Sequence, residues 1–169
     1  TLTGLGNRRA LRIAMKQLKP HRSGFAMMHI DLDHFKAVND TFGHAAGDAV
    51  LLEVSDRLRA ATRSEDTVVR QGGDEFTLLL PGVIEKSVVS KLAERLVDAI
   101  EKPVAFGDQD LHVSASIGIS IAQDNADADA DAMMEEADTA LYVVKEQGRH
   151  GYRIYTPDMG RMDGSENAA

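Results

Sequence analysis

Two short acidic elements, Asp31-Leu32-Asp33 and Gly72-Gly73-Asp74-Glu75-Phe76, carry the residues best suited to chemistry in this 169-residue chain. Carboxylates are hard oxygen donors, and a few of them brought together suit Mg²⁺, which keeps several waters and fills its shell with phosphate oxygens. The glycine pair allows positive φ and leaves no side chain in the path of a bulky anion. Strand-like runs flank it, Thr67 to Arg70 and Phe76 to Leu80, which places Asp74 and Glu75 at a hairpin tip. Asp31 follows an apolar run, Phe25 to Ile30, short enough for a buried strand, and so is expected at that strand's exit. Taken singly, each element has a plainer reading: Gly and Asp are common in turns, and Asp33 is a good helix N-cap. If the two strands are neighbours, the acids converge on one point, and phosphate chemistry assisted by a divalent cation becomes the better explanation.

The elements that must position them follow from periodicity. Asn7 is a plausible N-cap for a helix marked by Leu11, Ala14, Met15 and Leu18, which Pro20 and Gly24 interrupt. A loop holding Gly43 and Gly47 leads to a long helix with Leu51, Val54, Leu58 and Ala61 on its buried face. Val89, Leu92, Leu96 and Ile100 mark another, ended by Pro103. Gly107-Asp108 suggests a turn, and Leu111 to Ala122 is rich in β-formers. Asp124 to Asp131 is expected to be a solvated loop whose last Asp caps a helix striped by Met134, Ala137, Leu141 and Val144, with Gly148 at its end. Tyr152 to Tyr155 fits an edge strand, and Pro157 onward a frayed tail. The alternation of helices and strands argues for an α+β sheet covered by helices.

Composition narrows the functions. With 43% apolar residues the chain can bury a core of one domain. No Cys is present, which removes disulfides, thiolate catalysis and Cys-ligated zinc, and suits a reducing cytosol. None of the six His forms a metal-like pair. A net charge of -8, a pI near 5.2 and 5% aromatics argue against a surface that coats a nucleic acid polymer. No apolar run approaches a membrane span and no signal-peptide pattern opens the chain, whose first residues look like an internal segment. A cytoplasmic domain is expected, in a longer protein that could be membrane-tethered.

The chain resembles the GGDEF domain of diguanylate cyclases from Leu2 to about Tyr155. The resemblance rests on a series of motifs in order: Thr3-Gly4-Leu5-Gly6-Asn7-Arg8-Arg9, Asp31-Leu32-Asp33-His34-Phe35-Lys36 with Asn39-Asp40, Gly43-His44 and Gly47-Asp48, then Arg70-Gln71-Gly72-Gly73-Asp74-Glu75-Phe76, Ser116-Ile117-Gly118, and Ala137-Asp138-Thr139-Ala140-Leu141-Tyr142 through Lys145 and Gly148-Arg149. Gln71 stands where the family commonly has an apolar or aromatic residue, and His150 where Asn is usual. The resemblance implies a ferredoxin-like, antiparallel-centred sheet related to the palm of nucleotidyl cyclases, a GGDEF domain over residues 1–156, a flexible tail over 157–169, and condensation of two GTP into cyclic di-GMP and two pyrophosphates.

It further implies roles by position. Asp31, the Leu32 carbonyl, Asp74 and Glu75 would hold Mg²⁺, with Mn²⁺ as an alternative. Asp74 would take the proton from the 3′-hydroxyl, with Glu75 the other candidate. Asn39 and Asp48 would read guanine, and His44 would lie beside the nucleotide. Backbone N–H groups of Phe35 and Lys36, the open backbone at Gly72 and Gly73, and the cations Lys145 and Arg149, four apart on one helix face, would meet the phosphates. Arg63 and Asp66, an RxxD pattern just before the hairpin, with Arg95 from the next helix, would form an inhibitory site for cyclic di-GMP.

One domain offers one GTP site, so the resemblance implies a transient antiparallel homodimer, brought together by an N-terminal sensor or receiver domain absent from this sequence. Two other readings stay open: a catalytically silent GGDEF-like receptor for cyclic di-GMP, and a metal-dependent phosphodiesterase or nucleotide hydrolase.

Overall fold

The apolar run from Phe25 forms the middle strand of a sheet and continues three residues beyond its expected end. Strand β1 (Phe25–Asp33) contains all of Asp31-Leu32-Asp33. Asp31 therefore lies within the strand, and Asp33 caps no helix. The computed structural model describes residues 2–18, 24–124 and 129–161. Around β1 are α1 (Arg8–Leu18), α2 (Phe35–Phe42), α3 (His44–Ala61), β2 (Thr67–Gly72), β3 (Glu75–Pro81), α4 (Lys86–Glu101), β4 (Val104–Phe106), β5 (Gln109–Leu111), β6 (Ser114–Ala122), α5 (Ala130–Glu146) and β7 (Gly151–Ile154).

Five strands pair in the order β2-β3-β1-β6-β7, with β4 and β5 forming a separate hairpin across the expected turn at Gly107. β1 is antiparallel to β3 and to β6, while β7 joins the far edge parallel to β6. Strands β1, β2, β3 and β6, joined by the α2–α3 and α4 crossovers, have the ferredoxin-like order. The expected α+β architecture with an antiparallel centre is the one observed.

Side chains of a strand alternate between faces, and β1 sorts its residues accordingly. Ala26, Met28, Ile30 and Leu32 join the larger core with Val50, Val54 and Leu58 of α3 and Leu96 and Ile100 of α4. Phe25 and Met27 join the smaller core with Leu11 and Met15 of α1 and Met133 of α5. The same alternation places His29, Asp31 and Asp33 on the α1/α5 face. Asp33 is 2% exposed there, and accepts hydrogen bonds from Ser114 Oγ at 2.8 Å, Ser116 Oγ at 2.7 Å and the His150 N–H at 3.2 Å. It ties β1 to β6 and to the turn behind α5.

Helix ends refine the expectations. Asn7 Oδ1 accepts from the N–H groups of Arg9 at 3.0 Å and Ala10 at 3.2 Å, capping α1 as anticipated. The expected loop around Gly43 and Gly47 is instead helical on both sides of Gly43, whose φ of 89° ends α2, and Gly47 lies within α3. The cap of α5 is Asp129, whose side chain accepts from the Asp131 N–H at 3.1 Å, so Asp131 belongs to the first turn. Behind α5, Gly148 (φ 105°) donates to the Lys145 carbonyl at 3.3 Å and Arg149 to the Val144 carbonyl at 3.0 Å, a left-handed C-terminal motif. Arg149 therefore lies past the helix end, with φ 66°, and does not share a helix face with Lys145. The interruption at Pro20, the middle of the Asp124 to Asp131 segment and tail residues 162–169 fall outside the described residues, while Met159–Arg161 forms a 3₁₀ turn beside α5. Among the described residues, no helix is long and apolar enough to cross a membrane.

Close seating of α5 on the sheet depends on Gly118 of β6. A Cβ at that position would overlap the Ala137 carbonyl oxygen and crowd the Leu141 amide. Because backbone on α5 stands in the way, Gly118→Ala should destabilise the fold by about 1–3 kcal/mol. Urea unfolding checks this as a lower midpoint at unchanged slope.

Candidate active site

The register between β1 and β3 builds the site. Asp31 is the cross-strand partner of Glu75, and Ile30 that of Phe76. Phe76 is fully buried in the larger core beside Ile30, so Glu75 projects to the same α1/α5 face as Asp31. Directly opposed residues of an antiparallel pair have Cβ atoms roughly 4.5–5.5 Å apart. Asp74 sits in the turn immediately before β3, and its carbonyl accepts the Leu32 N–H at 3.2 Å, extending the β1 contact into the turn. The two acidic elements thus meet as their strand assignments required.

Electrostatics follow from that crowding. The Asp74 carboxyl is held above its ordinary range, first by burial and then by the negative charge of Asp31, with Glu75 adding to the effect and Lys145 opposing it. Lys145, on the last turn of α5, places Nζ 2.9 Å from Asp31 Oδ2. The α5 helix therefore brings a cation directly to the carboxylates. Beside this pair, buried His29 Nδ1 is bonded to Asp138 Oδ1, a second link between β1 and α5.

Among the described residues, no three His, Cys, Asp or Glu side chains stand together as a preformed cation cage. The donor set nevertheless fits a divalent ion. Asp31, Asp74 and Glu75 supply hard oxygens from adjoining segments, and the Asp74 carboxyl, raised first by burial and then by the charge of Asp31, is one that a cation would favour in its charged form.

The remaining residues fall into two groups. Phe35 and Lys36 open α2, where first-turn N–H groups lack intrahelical acceptors, so both amides are available to an anion. The Phe35 ring is buried in the larger core and the Lys36 side chain is exposed. Asn39 of α2 lies against Gly47, where a Cβ would overlap its Oδ1, so the absence of a side chain makes room for that amide. His44 and Asp48 lie exposed on the first turns of α3. Gly72 and Gly73, with φ of 156° and 50°, are exposed, and nothing lies within 4 Å of a Cβ built on either. Arg149 contributes its backbone to the turn behind α5, not a side chain in line with Lys145.

Arg63, Asp66 and Arg95 line a second cleft of about 210 Å³ between the start of β2 and α4. Asp66 Oδ2 accepts the Arg63 N–H at 2.8 Å, its Oδ1 is buried without a partner, and burial raises its carboxyl above the ordinary range. Residues 67–71 of β2 separate this cleft from the Gly72–Gly73 turn, so it abuts the base of the hairpin and not its tip. The strand clamp at Asp33 and the hydrogen bond from Arg70 Nε to the Gly73 carbonyl at 2.8 Å were not singled out from sequence. Alternation in Ser114-x-Ser116 was the available signal for the first.

Comparisons with known proteins follow the same lines. The pattern of one family, described as "Diguanylate cyclase, GGDEF domain", matches residues 1–151. The bifunctional diguanylate cyclase/cyclic di-GMP phosphodiesterase MucR of Pseudomonas aeruginosa is 41% identical over 162 residues, which cover 94% of this chain and 23% of that protein. A structure of the GGDEF domain of TpbB from the same organism is similar with a TM-score of 0.85 at 33% identity, covering 97% of this chain and 98% of that one. The GGDEF domain of DgcB from Caulobacter crescentus, solved in complex with c-di-GMP, is similar with a TM-score of 0.80 at 28% identity, covering 92% of each chain. The chain spans between 20% and 36% of the length of the first curated relatives it matches. By fold and sequence, the chain belongs to the GGDEF domain family.

Proposed function

We propose that this chain is the catalytic domain of a diguanylate cyclase, converting two GTP into cyclic di-GMP and two pyrophosphates. The observation that carries the reading is the in-register placement of Asp31 against Glu75, with Asp74 in the adjoining turn and Lys145 brought to the same point. Asp31, Asp74, Glu75 and the Leu32 carbonyl would hold Mg²⁺, or Mn²⁺ by the same oxygen chemistry. Bound there, the cations supply charge stabilisation to the attacking 3′-oxygen and to the departing pyrophosphate.

The chain's own groups do the rest. Asp48 accepts from the guanine N1–H and N2–H₂ edge and Asn39 meets an acceptor or donor beside it, pairings that adenine would leave incomplete. The amides opening α2, the uncluttered backbone at Gly72 and Gly73, and the cation Lys145, with Arg149 approaching from the turn behind α5 and not from the helix face, receive the triphosphate. Asp74 takes the 3′-hydroxyl proton, with Glu75 the alternative. The 3′-oxygen then bonds to the α-phosphorus of the facing GTP while the bond to its β-phosphate breaks and pyrophosphate leaves. Each copy binds one GTP, so the reaction runs between two copies related by a two-fold axis, and both bonds are made by the same step in opposite directions. A sensor or receiver module elsewhere in a longer protein would bring the copies together.

The Arg63, Asp66 and Arg95 cleft favours an added regulatory role. A guanidinium pair suits phosphate, and the orphaned Asp66 Oδ1 suits the guanine N1–H and N2–H₂ edge. The c-di-GMP complex of the related DgcB domain supports binding of the same ligand here.

Incubating the chain at high concentration with GTP and Mg²⁺ should release pyrophosphate and yield cyclic di-GMP, and Asp74→Asn should lower the rate at least ~100-fold, the scale of general-base loss. Formation of GMP or GDP alone would favour a hydrolase, and binding of cyclic di-GMP without turnover a receptor. In the active enzyme, Arg63→Ala should leave the initial rate unchanged and weaken inhibition by added cyclic di-GMP at least ~10-fold, the scale of a lost charge-assisted contact. Inhibition curves for the two proteins measure this directly.

A further inference from the structure

Asp74 sits in a turn whose glycines leave the backbone free, yet its carboxylate has to point at one place. Gly72 and Gly73 both adopt positive φ in open space, so no packing holds the tip. Two hydrogen bonds supply what packing does not. Arg70 Nε donates to the Gly73 carbonyl at 2.8 Å, and the Leu32 N–H donates to the Asp74 carbonyl at 3.2 Å. These carbonyls belong to the two peptide planes on either side of the Asp74 Cα. Pinning both planes fixes φ and ψ of Asp74 and with them the direction of its Cα–Cβ bond, from which the carboxylate extends.

The arginine making the first bond is itself anchored. Its N–H donates to the Gly6 carbonyl at 3.0 Å, and Gly6 pairs in parallel with Val69, so the chain's leading segment lines the β2 edge at this residue. Its cross-strand partner Phe76 is fully buried. The register shift between Arg70 and Gly72 sets Gln71 out of the ladder, and Gln71 Nε2 donates to Thr77 Oγ1 at 2.8 Å, so the strand stays attached across the irregularity. Arg70 is thus a rigid base from which a planar donor reaches over the turn.

We propose that Arg70 is a positioning residue for the acidic turn: its guanidinium holds the Gly73 carbonyl, and through that peptide aims Asp74, without contacting substrate itself. The inference rests on the cyclase reading given above. Lys in its place would keep the charge but lose the Nε–H that the planar guanidinium directs at the carbonyl. The Gly6 contact gives the leading segment a path to the turn through one residue.

The test compares the 169-residue chain with its Arg70→Gln and Arg70→Lys variants. Backbone ¹⁵N order parameters, measured without nucleotide, should fall at Gly73 and Asp74 from about 0.85 to below about 0.6 in both variants and stay unchanged in β1 and α5. With GTP, kcat should fall roughly 10–100-fold while KM stays within about twofold, since a misdirected base costs rate and not ground-state binding. A raised KM at unchanged kcat, with Lys restoring it, would mean that Arg70 meets phosphate directly and would overturn the proposal. Unchanged order parameters, or a lowered melting temperature at normal turnover, would overturn it too. If the wild-type chain, at a concentration high enough to pair two copies, forms no cyclic di-GMP, the cyclase reading fails, and the order parameters still decide whether Arg70 holds the turn.

Discussion

Carboxylates on adjacent strands repel each other and resist burial, and the site exists because the β1–β3 register holds them together regardless. Register in a sheet is strongly specified wherever alternate residues are buried, since a slip of one position would turn every side chain to the opposite face. Here Ile30, Leu32, Phe76 and Leu78 are buried on one face and Met27 and Leu79 on the other. The apolar residues therefore fix where Asp31 and Glu75 point. The cost of crowding falls on Asp74, whose carboxyl is held above its ordinary range by burial and by Asp31.

Relief of that repulsion comes from α5. Lys145 reaches Asp31 only because the helix lies close on the sheet, which Gly118 permits and the His29–Asp138 bond reinforces. Asp33 holds the turn behind the helix by accepting the His150 N–H while also accepting from Ser114 and Ser116 of β6. Three acids in and around one strand thus have distinct duties: Asp31 faces the site, Asp33 braces the sheet, and Asp74 is aimed by the turn.

Much of this was legible in the sequence, because strong periodicity marks helices and glycine marks the hairpin. Leu11 and Met15, the stripe from Val54 to Leu58, and the run Phe76 to Leu80 all occupy the elements expected of them. The sequence offered less where a tertiary partner decides the outcome. Asp33 has the composition of a helix cap, and only the serines on β6 make it a buried strand residue. Asp31 and Leu32 extend β1 because β3 and β6 pair with them, although local pattern ends the strand at Ile30. Lys145 and Arg149 have helical spacing, but Gly148 breaks the helix between them. The Arg70 contact was invisible because a hydrogen bond to a turn carbonyl leaves no periodic trace.

The central claim is that Asp31 and Asp74 form one electrostatically coupled site, and a titration of the Asp74 side-chain carboxyl by ¹³C NMR tests it most directly. In the ligand-free chain Asp74 should titrate above the ordinary value of 3.8. In Asp31→Asn the midpoint should fall, because losing a neighbouring negative charge makes ionisation easier, while burial keeps it above that value. An Asp74 that titrates at its ordinary value and does not respond to Asp31→Asn would contradict the account.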